Sequence, residues 1–250
     1  MKLTVACVVK EDTFWLEMML KSALEFADEI IIVDDSDDYH YGKNVKMVEK
    51  LDVKKIIKHH SYHFGQHFGE GRKYAHSKAT GNWIMFLDAD EVIHENETSQ
   101  LKSMIEFYDK SGVDCLHVEY IHFMNDFAHV DNSECLHIGV QRIYKNHPEV
   151  LFPKRNHSLP MYPFRKISLS PLKIWHLGYV RGMDKISERF HRNYRHSEMH
   201  IPIQQLRWRD WHYYGDYPKK KIDIKTIPKV IKETFGMLLG GGENESIDNR

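Results

Sequence analysis

Cysteine is scarce in this chain of 250 residues, which holds three: Cys7, Cys115 and Cys135. An odd set without metal-type spacing excludes a disulfide framework and a cysteine-built zinc site. Cys7 and Cys115 stand in apolar, strand-like runs, which reads as core thiols in a reducing compartment. Long apolar runs are also missing. None approaches the ~18 residues of a membrane-spanning helix. Met1-Lys2 leads straight into a strand with nothing like a signal peptide, so the expected location is the cytoplasm. Net charge is nearly absent, at −1, which excludes a strong general attraction to nucleic acid. No internal repeat is visible, and no linker splits the chain into independent domains.

What is present is an ordinary globular composition, 42% hydrophobic and 28% charged, long enough for one large α/β domain or two small ones. The charge is uneven. Residues 1–150 carry 16 Lys and Arg against 26 Asp and Glu, and residues 151–250 carry 19 against 10. An acidic half facing a basic half suits a cleft with a metal on one wall and an anion on the other. A solvated gradient without function has the same composition.

The stretch WIMFLDADE, residues 83–91, organises the rest. An apolar run to Leu87 ends abruptly in Asp88 and Asp90. Such a run reads as a buried strand of a parallel sheet. Its acids then lie at the carboxyl rim, where open α/β sheets bind ligands. Two acids one residue apart can address one hard divalent cation. The same acids would equally serve to end a strand or cap the next helix.

Around this stretch, strands are expected at Leu3–Val9, 29–33, 55–58 and 83–87, with helices after Asp12 or Thr13, at 45–51 and at 72–79. Residues 59–71, rich in His, Gly and aromatics, read as a loop. This alternation implies a parallel sheet with right-handed crossovers. Beyond it come a helix at 98–110, a strand at 114–123, and a strand at 137–145 that pairs back on it. A proline-punctuated region follows, with a short strand at 173–177. Then come a basic helix at 184–195, an aromatic segment at 201–217, a last amphipathic helix at 227–239 and a polar tail at 240–250.

Between residue 3 and about residue 180 the chain resembles the family 2 glycosyltransferases of the GT-A fold. Lys10-Glu11-Asp12 loosely matches the family's first helix start. IIIVDDSDD matches a strand ending in Val-Asp-Asp-x-Ser-x-Asp, one residue short and without the usual Gly. GRKYAHSKATGNWIMFLDADE carries Arg72, Ala79 and Gly81 in the matching places. QRIYKN and WHLGY match an Arg-Leu-Phe-Arg-Asn-like strand and a His-x-Gly-Tyr element. The resemblance implies a Rossmann-like, mostly parallel central sheet flanked by helices. It implies a catalytic domain over 1–180, a helical extension over 181–239 packed on it, and a flexible tail.

The resemblance also implies roles. A carboxylate after the second strand, Asp34 or Asp35, accepts from a uracil N3–H. Arg72, with its fork of donors, bonds a phosphate or the base edge. Asp88 touches ribose or metal, Asp90 is the metal ligand, and His176 closes the metal site. Imidazole suits Mn2+ better than Mg2+. His59, His60, His63 and His67 lack a tetrahedral zinc pattern. The expected reaction is metal-assisted, inverting transfer from a UDP-sugar to an acceptor hydroxyl on a glycan, a lipid carrier or a peptide. Where many relatives carry Val-His-Glu, this chain has RNHSLP. Ser158 follows His157, so the usual catalytic carboxylate is missing. Glu134, Asp131 and His157 itself are the substitutes. An inactive binding module of the same fold and a metal-dependent phosphoester hydrolase are the competing readings.

The basic third has two functional readings beside a solvated face. Lys185, Arg189 and Arg192 share one face of the 184–195 helix and would close over the donor pyrophosphate. Alternatively Lys219, Lys220, Lys221, Lys229 and Lys232 would rest on an anionic membrane surface near a lipid-linked acceptor.

Overall fold

The computed structural model describes residues 1–65, 67–124, 126–132, 140–153, 160, 164–180 and 218–239. Four strands come first: β1 (Leu3–Val9), β2 (Glu29–Asp34), β3 (Ile57–Ser61) and β4 (Trp83–Phe86). They alternate with helices α1 (Thr13–Ala23), α2 (Asp38–Leu51) and α3 (Phe68–Lys78). Then follow β5 (Glu91–Ile93), α4 (Glu95–Lys110), β6 (Cys115–His122), β7 (His129–Asp131), β8 (Val140–Lys145), β9 (Ile167–His176), β10 (Lys219–Lys221) and α5 (Lys229–Leu239). Eight strands make one sheet in the order β3-β2-β1-β4-β8-β6-β9-β5, and β7 pairs with β10 apart from it.

The first four strands are mutually parallel. β8 enters antiparallel between β4 and β6, as the pairing of 137–145 with 114–123 predicts. The alternation along β1 explains why both faces are apolar. Leu3, Val5, Cys7 and Val9 join the cluster beneath α1 with Leu16, Met19 and Leu20. Ala6 and Val8 join the opposite cluster with Ala75 of α3 and Phe86. A strand covered on both faces must be apolar throughout, because successive side chains point to opposite sides.

Several boundaries differ from the sequence expectation. α2 begins at Asp38, not at 45, because the Asp37 carboxylate caps it by accepting from His40 N at 2.8 Å. β3 lies at 57–61, so His59, His60 and Ser61 belong to a strand paired with β2, not to a loop. α3 begins at Phe68, four residues early. β9 is ten residues long, not the expected five. Pro171 disguises it in the sequence. The residue sits where β6–β9 pairing breaks register between His117 and Glu119, a position that needs no N–H from it. β5 and β7 are short strands without a sequence signal. The expected helix at 184–195, the aromatic segment 201–217 and the tail 240–250 lie outside the described residues.

The first turns of α5 and the residue leading into them pack inward. Ile227, Ile231 and Phe235 are buried, and Phe235 meets Phe14, Trp15 and Phe127 at centroid distances of 5.5, 6.0 and 4.4 Å.

Candidate active site

Parallel pairing puts the ends of β2 and β4 on one rim with only β1 between them. Val9 pairs with Asp34, and Leu87 N donates to Ala6 O. Both acid pairs therefore sit at the same carboxyl edge, as the sequence required.

The two acids of the first pair differ. Asp34 is sealed into the fold. It accepts from Ser36 N at 2.9 Å and Asn44 Nδ2 at 2.8 Å, and meets His59 Nε2 at 2.9 Å. Burial alone would raise its pKa, but these bonds outweigh it and hold the carboxyl below its usual range. Asp35 meets His63 Nδ1 at 2.5 Å and accepts from Gly65 N at 2.8 Å and Lys10 Nζ at 3.1 Å. The His63 side chain is 86% exposed, so it covers Asp35 from the solvent side.

At the end of β4, Asp88 bridges two arginines. Oδ1 accepts from Arg72 of α3 at 2.8 Å and Oδ2 from Arg142 of β8 at 3.0 Å. Burial raises its pKa, but the attraction of Arg142 and then Arg72 prevails, and the carboxyl is held well below the usual range. Its side chain keeps 27% exposure, so it remains open to the cleft. Arg142 also donates to Glu91 Oε1 at 2.8 Å and to the Tyr120 hydroxyl at 2.5 Å. Glu91 accepts further from Tyr120 Oη at 3.0 Å and Asp88 N at 2.8 Å. Burial pushes Glu91 up to about 7; Arg142 opposes the rise, and Asp88 and Asp90 add to it.

Asp90 is buried beside His176, the last residue of β9. Asp90 Oδ2 and His176 Nε2 stand 3.9 Å apart, beyond hydrogen-bond distance. Leu177 N donates to Asp90 O at 2.9 Å and holds the two segments together. Gly178 is required here: a Cβ on it would come within 2.6 Å of the His176 ring and 3.0 Å of Asp90 Oδ2. The other His176 nitrogen, Nδ1, lies 2.9 Å from His122 Nδ1.

The structure thus gathers Asp34, Asp35, Arg72, Asp88, Asp90 and His176 on one rim. Asp131 is buried at the end of β7, with Lys219 of β10 opposite. Glu134 and His157 lie outside the described residues. Among the described residues no group of three or more His, Cys, Asp or Glu side chains is assembled for a metal ion. Sequence reading missed Arg142, Glu91, Tyr120 and His122. A charged residue inside the apolar strand QRIYK was the available signal for Arg142, because such a charge needs a buried partner.

The model of glycosyl transferase family 2 matches residues 11–172. The SPbeta prophage-derived glycosyltransferase SunS of Bacillus subtilis (strain 168) is 23% identical over 209 residues, 80% of this chain and 46% of SunS. The chain thus spans about half the length of the curated relatives it matches. Among solved structures, S. aureus TarS 1–349 superposes with a TM-score of 0.52 at 17% identity, covering 84% of this chain and 78% of that one. TarS 1–349 in complex with UDP-GlcNAc gives 0.52 at 18% identity, over 71% of this chain and 58% of that one. At such identities these structures speak for the fold, a mixed α/β GT-A sheet flanked by helices. The family match runs through both acid pairs, the arginine clamp and most of β9, and the chain belongs to glycosyl transferase family 2.

Proposed function

We propose that this domain transfers a sugar from a uridine diphosphate-sugar to an acceptor hydroxyl, with inversion and with a divalent cation, Mn2+ in preference to Mg2+. The observation that carries the reading is the shared rim: two acid pairs one strand apart, with Asp90 and His176 facing each other at 3.9 Å. Family membership supports the chemistry, and the UDP-GlcNAc complex of TarS 1–349 supports uridine. A mixed oxygen and nitrogen donor pair fits Mn2+. With two protein ligands, Asp90 and His176, a cation would take the rest from donor phosphates and water. When bound, it neutralises the departing pyrophosphate.

The chain's own residues divide the remaining work. Asp35 reads the base: Asp34 is tied to Ser36, Asn44 and His59, whereas Asp35 is held by Gly65 N, by Lys10 and by the exposed ring of His63. Arg72 and Arg142 orient Asp88 towards ribose and cation. The base that takes the acceptor proton is one of Asp131, Glu134 and His157. The acceptor is a glycan, lipid-linked or peptide hydroxyl.

Calorimetric titration tests this. Wild type is expected to bind UDP more tightly with Mn2+ than without it, and more tightly than GDP. Asp90→Asn should abolish the Mn2+ enhancement while the fold persists. A variant that binds UDP and Mn2+ as wild type does would rule out the assignment, and tighter GDP binding would overturn the uridine choice.

A further inference from the structure

We infer that Lys10 is a specificity-determining residue for the donor nucleobase: with Asp35 it reads a carbonyl next to a ring N–H, so the site takes uracil and rejects cytosine. The inference rests on the nucleotide-donor reading above, in which Asp35 meets the base, and gives Lys10 a part in it.

Lys10 follows the last residue of β1, and Asp35 follows the last residue of β2. Asp35 N donates to Val9 O at 3.1 Å, so the two residues leave neighbouring parallel strands side by side at the rim. The chain then turns sharply. Glu11 has a φ of 56°, a left-handed conformation that a residue with a Cβ adopts only at a cost. Its N–H donates to Ser36 Oγ at 2.8 Å, which ties the turn to the end of β2. Lys10 Nζ thereby comes to 3.1 Å from Asp35 Oδ2.

The carboxylate is held in place beside it. Gly65 N donates to Oδ2 at 2.8 Å, and His63 Nδ1 meets Oδ1 at 2.5 Å. Two carboxylate oxygens offer about four acceptor positions. Among the described residues three donors reach them, and the position left is on Oδ1. The ammonium of Lys10 has hydrogens to spare, since among the described residues it bonds Asp35 alone. The Asp35 side chain keeps 5% exposure and that of Lys10 21%. The pair thus offers an acceptor and a donor next to each other at the rim.

Such a pair fits one kind of base edge. Uracil carries N3–H beside the O4 carbonyl: the N–H donates to Asp35 and the carbonyl accepts from Lys10. Cytosine carries the reverse, a bare N3 beside an amino group. Its lone pair would meet the carboxylate and its N–H the ammonium, leaving both charged groups without a partner. Guanine shares the uracil arrangement at O6 and N1–H. Lys10 therefore separates keto from amino bases and leaves ring size to other contacts.

The test is calorimetric titration of UDP, CDP and N3-methylated UDP, each with Mn2+, into wild type, Lys10→Met and Lys10→Arg. Wild type is expected to prefer UDP to CDP by about a hundredfold, from two charge-assisted bonds at about tenfold each. It should reject N3-methylated UDP to a similar degree. Lys10→Met should lose about tenfold in UDP affinity and lower the UDP/CDP ratio by about tenfold. Lys10→Arg keeps a donor and should keep most of the ratio. Equal weakening of UDP and CDP in Lys10→Met overturns the inference, because a lysine that touches phosphate or merely supports the fold acts on both alike. Unchanged affinities in Lys10→Met overturn it too, and so does N3-methylated UDP bound as tightly as UDP. In these cases wild type still binds UDP, and the donor reading stands. If wild type binds neither UDP nor CDP with Mn2+, the donor reading falls and the role of Lys10 falls with it.

Discussion

Arg142 is the residue on which most of the rim's charge depends. Its guanidinium serves Asp88, Glu91 and Tyr120 at once, and it is buried. Removing one partner of such a network leaves the others charged and unpaired in a dry site. Arg142→Met should therefore destabilise the fold by about 3 kcal/mol or more, read by urea denaturation; a loss near zero would show that the network does not hold the rim. Glu29, at the opposite end of β2, gives a pH signature. It accepts from Lys58 Nζ at 2.6 Å, Thr80 N at 2.7 Å and the hydroxyls of Thr4 and Thr80. Burial would raise its pKa, but these bonds bring it from 4.5 down to about 2. A depressed carboxyl stabilises the fold above its unfolded pKa and loses that contribution as pH falls through the folded one. Lys2 and Lys58 are half exposed, which discounts the gain to about 2 kcal/mol. The stability gap between wild type and Glu29→Gln should thus be full at pH 5.5 and shrink between about pH 4.5 and pH 2. A gap that is constant with pH would contradict the ion-pair account.

At the scale of elements, the entry into β4 depends on a close approach. A Cβ on Gly81 would stand 2.6 Å from Thr4 Oγ1, 2.8 Å from Thr4 N and 2.9 Å from Lys2 O. Two of those atoms are backbone of or next to a central strand and cannot yield. Gly81→Ala should cost about 2–3 kcal/mol, measured by the denaturation midpoint, whereas Gly42→Ala in α2 meets nothing within 4 Å and should be neutral or stabilising. Equal effects at the two glycines would refute the packing argument. Gly178 acts in the same way at the Asp90–His176 pair, so a glycine that reads as a helix or strand stop in the sequence is a spacing element of the site.

For the whole molecule, the lysines of β10 and α5 mark the face where membrane contact was expected. Lys219, Lys220, Lys221 and Lys229 are exposed. Ile231 and Phe235 of α5, and Ile227 just before it, pack into the core, however. Among the described residues no helix is long and apolar enough to cross a membrane. Through these lysines, contact is electrostatic. Sedimentation with anionic liposomes at low salt should disappear by about 0.5 M salt and in the variant with Lys219, Lys220, Lys221, Lys229 and Lys232 changed to Gln. Binding that survives high salt would require an inserted apolar element and refute the account.

Hydrophobic runs ending in acids determined by themselves that β1, β2 and β4 are buried parallel strands and that Asp34, Asp35, Asp88 and Asp90 share a rim. Those signals are local: a strand covered on both faces has to be apolar, and its polar end has to be the exposed rim. The order of motifs was enough to indicate the family. Tertiary structure alone told the acids of each pair apart: Asn44 and His59 fold over Asp34 while Lys10, His63 and Gly65 hold Asp35, and Asp88 keeps 27% exposure where Asp90 keeps 2%. It alone brought Arg142 of β8 and Tyr120 of β6 to Asp88, and His122 to His176, across sequence separations of 54 residues for Arg142–Asp88 and for His122–His176. No window of sequence spans such distances; pairing between β4, β8, β6 and β9 does, because hydrogen-bonded register fixes which side chains stand beside one another.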